Sequence, residues 1–80
     1  MKKTYVVIGL GKFGSAIAAQ LYDLGNEVLA IDDSPELVAR VEPHVTCAVV
    51  GDARDEEVLR SLGVGNYDCA IVGIGSDLAT

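Results

Sequence analysis

Three glycines near the amino terminus have the spacing of a phosphate-binding loop. Gly9, Gly11 and Gly14 follow the apolar run 6–8 in the order G-x-G-x-x-G, and a helical pattern begins directly behind them. The first glycine permits a tight turn, the second lets the backbone approach a pyrophosphate, and the third allows close helix–strand packing. The first N–H groups of a helix have no intrahelical acceptor and lie at the positive end of its dipole, so we predict that they hold an anion.

Two further loop residues belong to the predicted site. Lys12 adds a positive charge between the second and third glycines, and Phe13 is its neighbour. Phe13 also repeats at helical spacing with Ile17, Leu21 and Leu24, so we expect these apolar side chains to pack in the core rather than to bind a ligand.

A carboxylate follows the second predicted strand, residues 27–31. Asp32 stands about 20 residues beyond the glycine motif, where a carboxylate can accept hydrogen bonds from both hydroxyls of a ribose. Asp33 is the adjacent site position, although a solvated loop acid is its simpler interpretation. A glycine motif alone is weak because glycines also occur in ordinary turns. Strand, loop, helix, strand and acid together favour a nucleotide site over a turn without a ligand.

The next two predicted strands end in residues that share this crevice. The third strand leads to Asp52 and Ala53, and the fourth leads to Ile74 and Gly75. Because the carboxyl ends of parallel strands meet at one edge of a sheet, we expect the first pair beside the sugar or base and the second pair in a loop entering the crevice.

The alternation of strand and helix patterns predicts an α/β fold with a Rossmann-like parallel sheet. Right-handed crossovers between parallel strands give the strand order 3-2-1-4. Ser34 and Pro35 are expected to open the second helix, and an acidic run from Asp55 the third. Cys47 and Cys69 lie in apolar strand-like runs and are expected to be buried, reduced thiols.

The fourth strand leaves a sheet edge and an apolar face without cover. We therefore expect residues 1–80 to be the N-terminal part of a single Rossmann-like domain, truncated before its last strands. If these residues are all that exists, self-association through that edge or face is expected.

Composition limits the class of protein. Half of the 80 residues are apolar, which suits a folded core. The net charge of −6 and the pI near 4.4 argue against nucleic acid or an anionic membrane surface as a partner. The sequence has no apolar run of the roughly 18 residues that a membrane span needs and no signal-peptide pattern. We therefore expect a cytoplasmic domain without direct membrane insertion.

The chain as a whole resembles the RCK/KTN domain, the cytosolic nucleotide-binding module of Trk- and Ktr-type potassium-uptake systems and of some potassium channels. The resemblance rests on Val-Ile-Gly-Leu-Gly-Lys-Phe-Gly-Ser at the start, Gly-Asp-Ala in the middle, and Leu-Gly-Val with Tyr-Asp before the fourth strand. It implies a regulator without catalytic turnover that binds ATP, ADP or NAD(H). It also implies a homo-oligomer, either a dimer or a larger ring, that controls ion flow through a membrane potassium transporter or channel subunit.

The resemblance also implies roles for individual residues. The three glycines hold phosphates, Asp32 holds the adenosine ribose, and Asp52 and Ala53 lie at the nucleoside. Lys12 matches a basic position that in some members senses the terminal phosphate, sometimes from the neighbouring subunit. Many relatives carry Arg there, and Lys keeps the charge but lacks the bidentate fork.

Two alternatives remain open at the level of sequence. One is the cofactor-binding half of an NAD-dependent dehydrogenase, which the fold alone does not exclude although the chain offers no placed acid–base residue. The other is a fragment that folds but binds nothing. NADP is disfavoured under every interpretation, because Asp32 would face the 2′-phosphate and no Arg or Lys lies nearby in sequence to receive it.

Overall fold

Four parallel strands form one sheet in the order β3-β2-β1-β4, which confirms the predicted α/β class and strand order. The computed structural model describes residues 2–73. In chain order the elements are β1 (Thr4–Ile8), α1 (Lys12–Asp23), β2 (Glu27–Asp32), α2 (Pro35–Val41), β3 (Cys47–Val50), α3 (Glu56–Ser61) and β4 (Cys69–Val72), with single 3-10 turns at Glu42–His44 and Val64–Asn66.

The two central strands are covered on both faces, which explains their continuous apolar character. In β1, Val7 joins the cluster under α1 and α2, while Val6 joins the cluster under α3. In β2, Ala30 and Ile31 divide between the same two faces. All four side chains are fully buried, so β1 and β2 carry the centre of the core.

Local residue chemistry starts the second and third helices as predicted. The Ser34 hydroxyl accepts a hydrogen bond from the Leu37 N–H at 3.4 Å, and Pro35 is the first residue of α2. The Asp55 carboxylate accepts from the Glu57 N–H at 2.9 Å and caps α3. These side chains occupy donors that would otherwise have no partner at the helix starts.

The prediction that the large apolar residues of α1 pack in the core is mostly wrong. Phe13, Ile17 and Leu24 are 51%, 38% and 71% exposed. The helix meets the sheet through Gly14 and Ala18 instead, which are its buried residues. Small side chains let the helix lie close to the sheet, and the larger ones are displaced to an exposed flank. Only Leu21 packs partly against the core as expected.

The prediction of buried cysteines is also wrong. Cys47 and Cys69 are free thiols, as expected, but both are exposed. They begin β3 and β4, which are the two edge strands of the described sheet. An apolar run therefore does not guarantee burial at an edge position. None of the helices within residues 2–73 has the length and apolar character needed to cross a membrane.

Candidate functional site

A cleft of about 390 Å³ opens where the strands end at their carboxyl edge. Main-chain hydrogen bonds fix the surrounding loops to one another: the Gly51 N–H donates to the Asp32 carbonyl at 2.9 Å, and the Gly73 N–H donates to the Ile8 carbonyl at 2.7 Å. Six predicted site residues line this cleft: Gly9, Gly11, Asp32, Asp33, Asp52 and Ala53. The structure therefore brings together the residues that sequence spacing placed at one edge of the sheet.

The glycines of the loop serve different ends. Gly9 has a φ of +92°, which L side chains rarely adopt, and a Cβ there would lie 2.5 Å from the Gly73 carbonyl oxygen. A Cβ at Gly14 would overlap the Gly9 carbonyl oxygen. The backbones of the loop, α1 and the end of β4 thus meet at one point. Gly11, by contrast, has a φ of −70°, so its own backbone conformation does not require glycine.

The loop keeps several main-chain donors available at the start of α1. The Leu10 N–H donates to the Asp32 Oδ2 at 2.7 Å and is therefore occupied. The N–H groups of Gly11, Lys12 and Phe13 have no acceptor in the part of the chain described here. They lie at the positive end of the helix dipole and are suited to an anion.

Asp32 accepts hydrogen bonds at both carboxylate oxygens. Its Oδ2 accepts from the Leu10 N–H at 2.7 Å and its Oδ1 from the Ser34 N–H at 2.8 Å. The side chain thereby ties the glycine loop to the turn that precedes α2. Each carboxylate oxygen can accept a further hydrogen bond, so two neighbouring hydroxyl groups can still be bound.

Asp52 and Arg54 form an exposed pair in the turn after β3, which also lines the cleft. The Arg54 main-chain N–H and Nε donate to Asp52 Oδ1 at 2.9 and 3.1 Å, and Nη2 donates to Oδ2 at 3.3 Å. These hydrogen bonds hold the pKa of Asp52 below its ordinary value and raise that of Arg54. Arg54 lines the cleft but was not predicted. Its position two residues after Asp52 in the same turn was the available signal.

The remaining predicted residues do not line the cleft. Gly14 lies beneath it, Lys12 borders a separate groove, and Phe13 is on the exposed flank of α1. Ile74 and Gly75 lie outside the described residues. Sequence reasoning also gave no role to Leu10 or Gly73, which both line the cleft. For Gly73, the glycine at the end of the predicted fourth strand was a partial signal.

The surface in and around the cleft has an acidic part and a part with free main-chain donors at the start of α1. Asp32, Asp33 and Asp52 supply negative charge, and Arg54 is already engaged by one of them. Within residues 2–73, no three His, Cys, Asp or Glu side chains are grouped as metal ligands would be. Carboxylates accept hydrogen bonds from hydroxyls and repel phosphates, whereas the amides at the start of α1 attract phosphates. The cleft therefore suits a ligand with an anionic and a hydroxyl-bearing part.

Comparison with known proteins agrees with the resemblance seen in the sequence. The Ktr system potassium uptake protein C of Bacillus subtilis (strain 168) is 44% identical over 78 residues, which is 98% of this chain and 35% of the relative. The Ktr system potassium uptake protein A of the same organism is 42% identical over 76 residues, covering 95% and 34%. The protein A of Vibrio alginolyticus is 37% identical over 76 residues, with the same coverage. The chain thus spans about a third of the length of these relatives.

A model of the TrkA-N domain matches residues 5–80, which include every strand and helix from the glycine loop onward. The family match and the relatives both cover nearly the whole chain. The chain belongs to the TrkA-N domain family.

Proposed function

We propose that this chain is the nucleotide-binding part of a regulatory subunit that controls potassium uptake through a membrane partner. The observation that carries the proposal is a cleft lined both by Gly11, whose N–H has no acceptor within the described residues, and by Asp32. The relatives' names, which are those of Ktr system potassium uptake proteins, support the link to potassium. The proposed ligand is ATP, ADP or NAD(H), all of which share adenosine and a pyrophosphate.

The phosphates are proposed to bind at the start of α1. The N–H groups of Gly11, Lys12 and Phe13 are available there, and a helix N-terminus with free donors is a common phosphate site. Lys12 and Phe13 thus contribute through their main chain. The ordinary φ of Gly11 supports this arrangement, because the missing Cβ is then useful mainly for close approach of a ligand.

The adenosine is proposed to bind between Asp32 and the turn at Asp52 and Ala53. Asp32 retains one acceptor position on each oxygen for the two ribose hydroxyls. NADP remains disfavoured, because Asp32 and Asp33 would repel a 2′-phosphate. Arg54 is the cation in the cleft lining, and it is held by Asp52.

Regulation is proposed to act through the arrangement of two or more copies of the chain. A ligand changes such an arrangement only if it binds one arrangement more tightly than another. Lys12 borders a separate groove and does not line the cleft of its own chain, so its contact with a terminal phosphate is proposed to be made to a nucleotide of a neighbouring subunit. The subunit is proposed to lie in the cytoplasm, attached to the membrane through its partner. Residues 1–80 would then form the N-terminal part of a single domain.

Calorimetry with ATP, ADP and NADH tests the binding step. We expect Asp32→Ala to weaken binding by about 1–3 kcal/mol through loss of charged hydrogen bonds. Asp23→Ala removes an exposed carboxylate from the end of α1, away from the cleft, and is the matched control with unchanged affinity. Circular dichroism must show that Asp32→Ala still folds, since Asp32 also binds two main-chain N–H groups. Equal affinity of folded Asp32→Ala and the unmodified chain would refute the proposed site.

A further inference from the structure

A second groove lies between α1 and α2, beside the nucleotide cleft but distinct from it. This α1–α2 groove has a volume of about 480 Å³, within the usual range for small-molecule sites. It shares only Leu10, Gly11 and Leu37 with the cleft, and none of the cleft's acids lines it. Of the rest of its lining, only Lys12 has a part in the proposed nucleotide site.

The rim of the α1–α2 groove carries two cations and one imidazole. Lys12 comes from α1, Arg40 from α2, and His44 from the 3-10 turn that follows α2, and no Asp or Glu is among the lining residues. In the part of the chain described, the side chains of Lys12 and Arg40 make no ion pair within 4.0 Å, so no acid of these residues neutralises either charge. This concentration of free positive charge occurs in a chain of net charge −6.

Helix electrostatics accounts for only part of this rim. Arg40 lies in the last turn of α2, where a cation is favoured by the helix dipole. Lys12 is the first residue of α1, where a cation is disfavoured, and the first turn of α1 contains no acid to offset it. An anion bound in the groove would relieve this unfavourable placement.

The floor of the groove is apolar. Leu10 is 1% exposed and Val41 is 3% exposed, and partly buried Leu37 continues this surface between the helices. Ala16 and Ala19 form the α1 side, where small residues leave the space open. Binding sites for small molecules commonly combine such an apolar floor with a few convergent polar groups.

We propose that the α1–α2 groove binds a small organic anion in which one phosphate or carboxylate group is attached to an apolar body. The anionic group lies between Lys12, Arg40 and His44, and the apolar body lies on Leu37 and Val41. This proposal does not depend on nucleotide binding in the cleft.

NMR titration of the ¹⁵N-labelled chain with phenyl phosphate tests the proposal. We expect saturable shifts at the amides of Ser15, Ala19 and Arg40, with a dissociation constant of about 1 mM, as suits a small ligand held by few contacts. Inorganic phosphate lacks the apolar body and benzyl alcohol lacks the charge. Both are expected to bind at least about fivefold more weakly, because each loses one of the two contributions.

Matched substitutions locate the site. Arg40→Gln is expected to weaken phenyl phosphate binding about fivefold or more, because it removes a charged hydrogen-bond donor. Arg60→Gln makes the same change in the last turn of α3 and should leave binding within about twofold, since exposed charges at a distance are screened. Shifts centred on residues 51–54 would overturn the proposal. So would equal affinities of Arg40→Gln and Arg60→Gln.

Discussion

Residues 2–45 and residues 46–73 differ in how they are buried. Every fully buried apolar side chain within residues 2–73 lies between Val6 and Val45. Residues 46–73 contribute only partly buried side chains, such as Val58 and Leu59. The first region therefore builds the core, and the second region is packed against it.

The cleft joins these two regions. The glycine loop and Asp32 belong to the well-buried region, whereas Asp52 and Arg54 belong to the other. The main chain of Leu10 is fixed by Asp32, while the Asp52–Arg54 pair is exposed to solvent. Regions with less buried apolar area open at lower free-energy cost. The two regions of the chain, and with them the two parts of the cleft lining, are thus expected to differ in rigidity.

The largest effect is expected from Gly14→Ala, which disrupts the packing of α1 against the glycine loop in the well-buried region. A Cβ at this position would overlap the Gly9 carbonyl oxygen, and a backbone atom cannot move aside as a flexible side chain can. We expect the free energy of unfolding to fall by about 3 kcal/mol or more, measured by urea denaturation. Gly65→Ala is the control, because a Cβ there meets no atom within 4 Å. A Gly14→Ala variant as stable as the Gly65→Ala variant would contradict the packing described here.

The next largest loss of unfolding free energy is expected from shortening Val41, with Val58 as the comparison. Val41 on α2 is 3% exposed, while Val58 on α3 is only partly buried. We expect Val41→Ala to lower the unfolding free energy by about 2 kcal/mol and Val58→Ala by less than about 1 kcal/mol. Both are measured by urea denaturation. Equal losses would show that the α3 face is packed as tightly as the α1–α2 face.

Hydrogen exchange measures the same difference without substitution. Amides of Leu29 to Ile31, in the central strand β2, are expected to exchange at least about tenfold more slowly than those of Cys69 to Val72 in edge strand β4. The physical reason is that β2 is hydrogen-bonded on both sides and covered on both faces. Mass spectrometry or NMR gives the rates. Similar protection in the two strands would mean that the sheet opens as one unit.

The smallest effect concerns the attachment of β4 to β1. The N–H and hydroxyl of Thr4 donate to Asp68 Oδ2 at 2.8 and 3.0 Å, and these bonds lower the pKa of Asp68 from its ordinary 3.8. Because the folded pKa is below the unfolded one, the stabilisation is present above the unfolded pKa and is lost as the pH falls through the folded pKa.

Asp68→Asn is therefore expected to be slightly less stable than the unmodified chain at pH 6, with the difference shrinking at pH 3. Urea midpoints at the two pH values measure it. Asp23→Asn, which makes the same change at an exposed position on α1, is the matched control. A stability difference for Asp68→Asn that is the same at both pH values would exclude this role for the carboxylate.

Local sequence patterns predicted much of the fold. Ser34 and Asp55 cap helices because their side chains bind donors two or three residues away, which is readable from sequence. The strand order followed from the handedness of the crossovers. The position of Asp32 at the cleft followed from the rule that parallel strands end at one edge.

The rest required three-dimensional information. The periodicity of α1 shows which of its residues are apolar, but it does not show that the small ones face the sheet. The sheet is in fact met by Gly14 and Ala18 rather than by Phe13. The hydrogen bond from Leu10 to Asp32 joins the glycine loop to the last residue of β2 and depends on the conformation of the loop. The orientation of Lys12 toward α2 likewise depends on how the two helices are placed.

The Asp32 carboxylate accepts one main-chain hydrogen bond at each of its two oxygens. A side chain held at both oxygens has little freedom to reorient, so the remaining acceptor positions of Asp32 keep a fixed direction. The Asp52–Arg54 pair of the same cleft is exposed and is formed within a single turn, so it can rearrange at a lower free-energy cost. The cleft thus contains one carboxylate of fixed orientation and one that is free to turn.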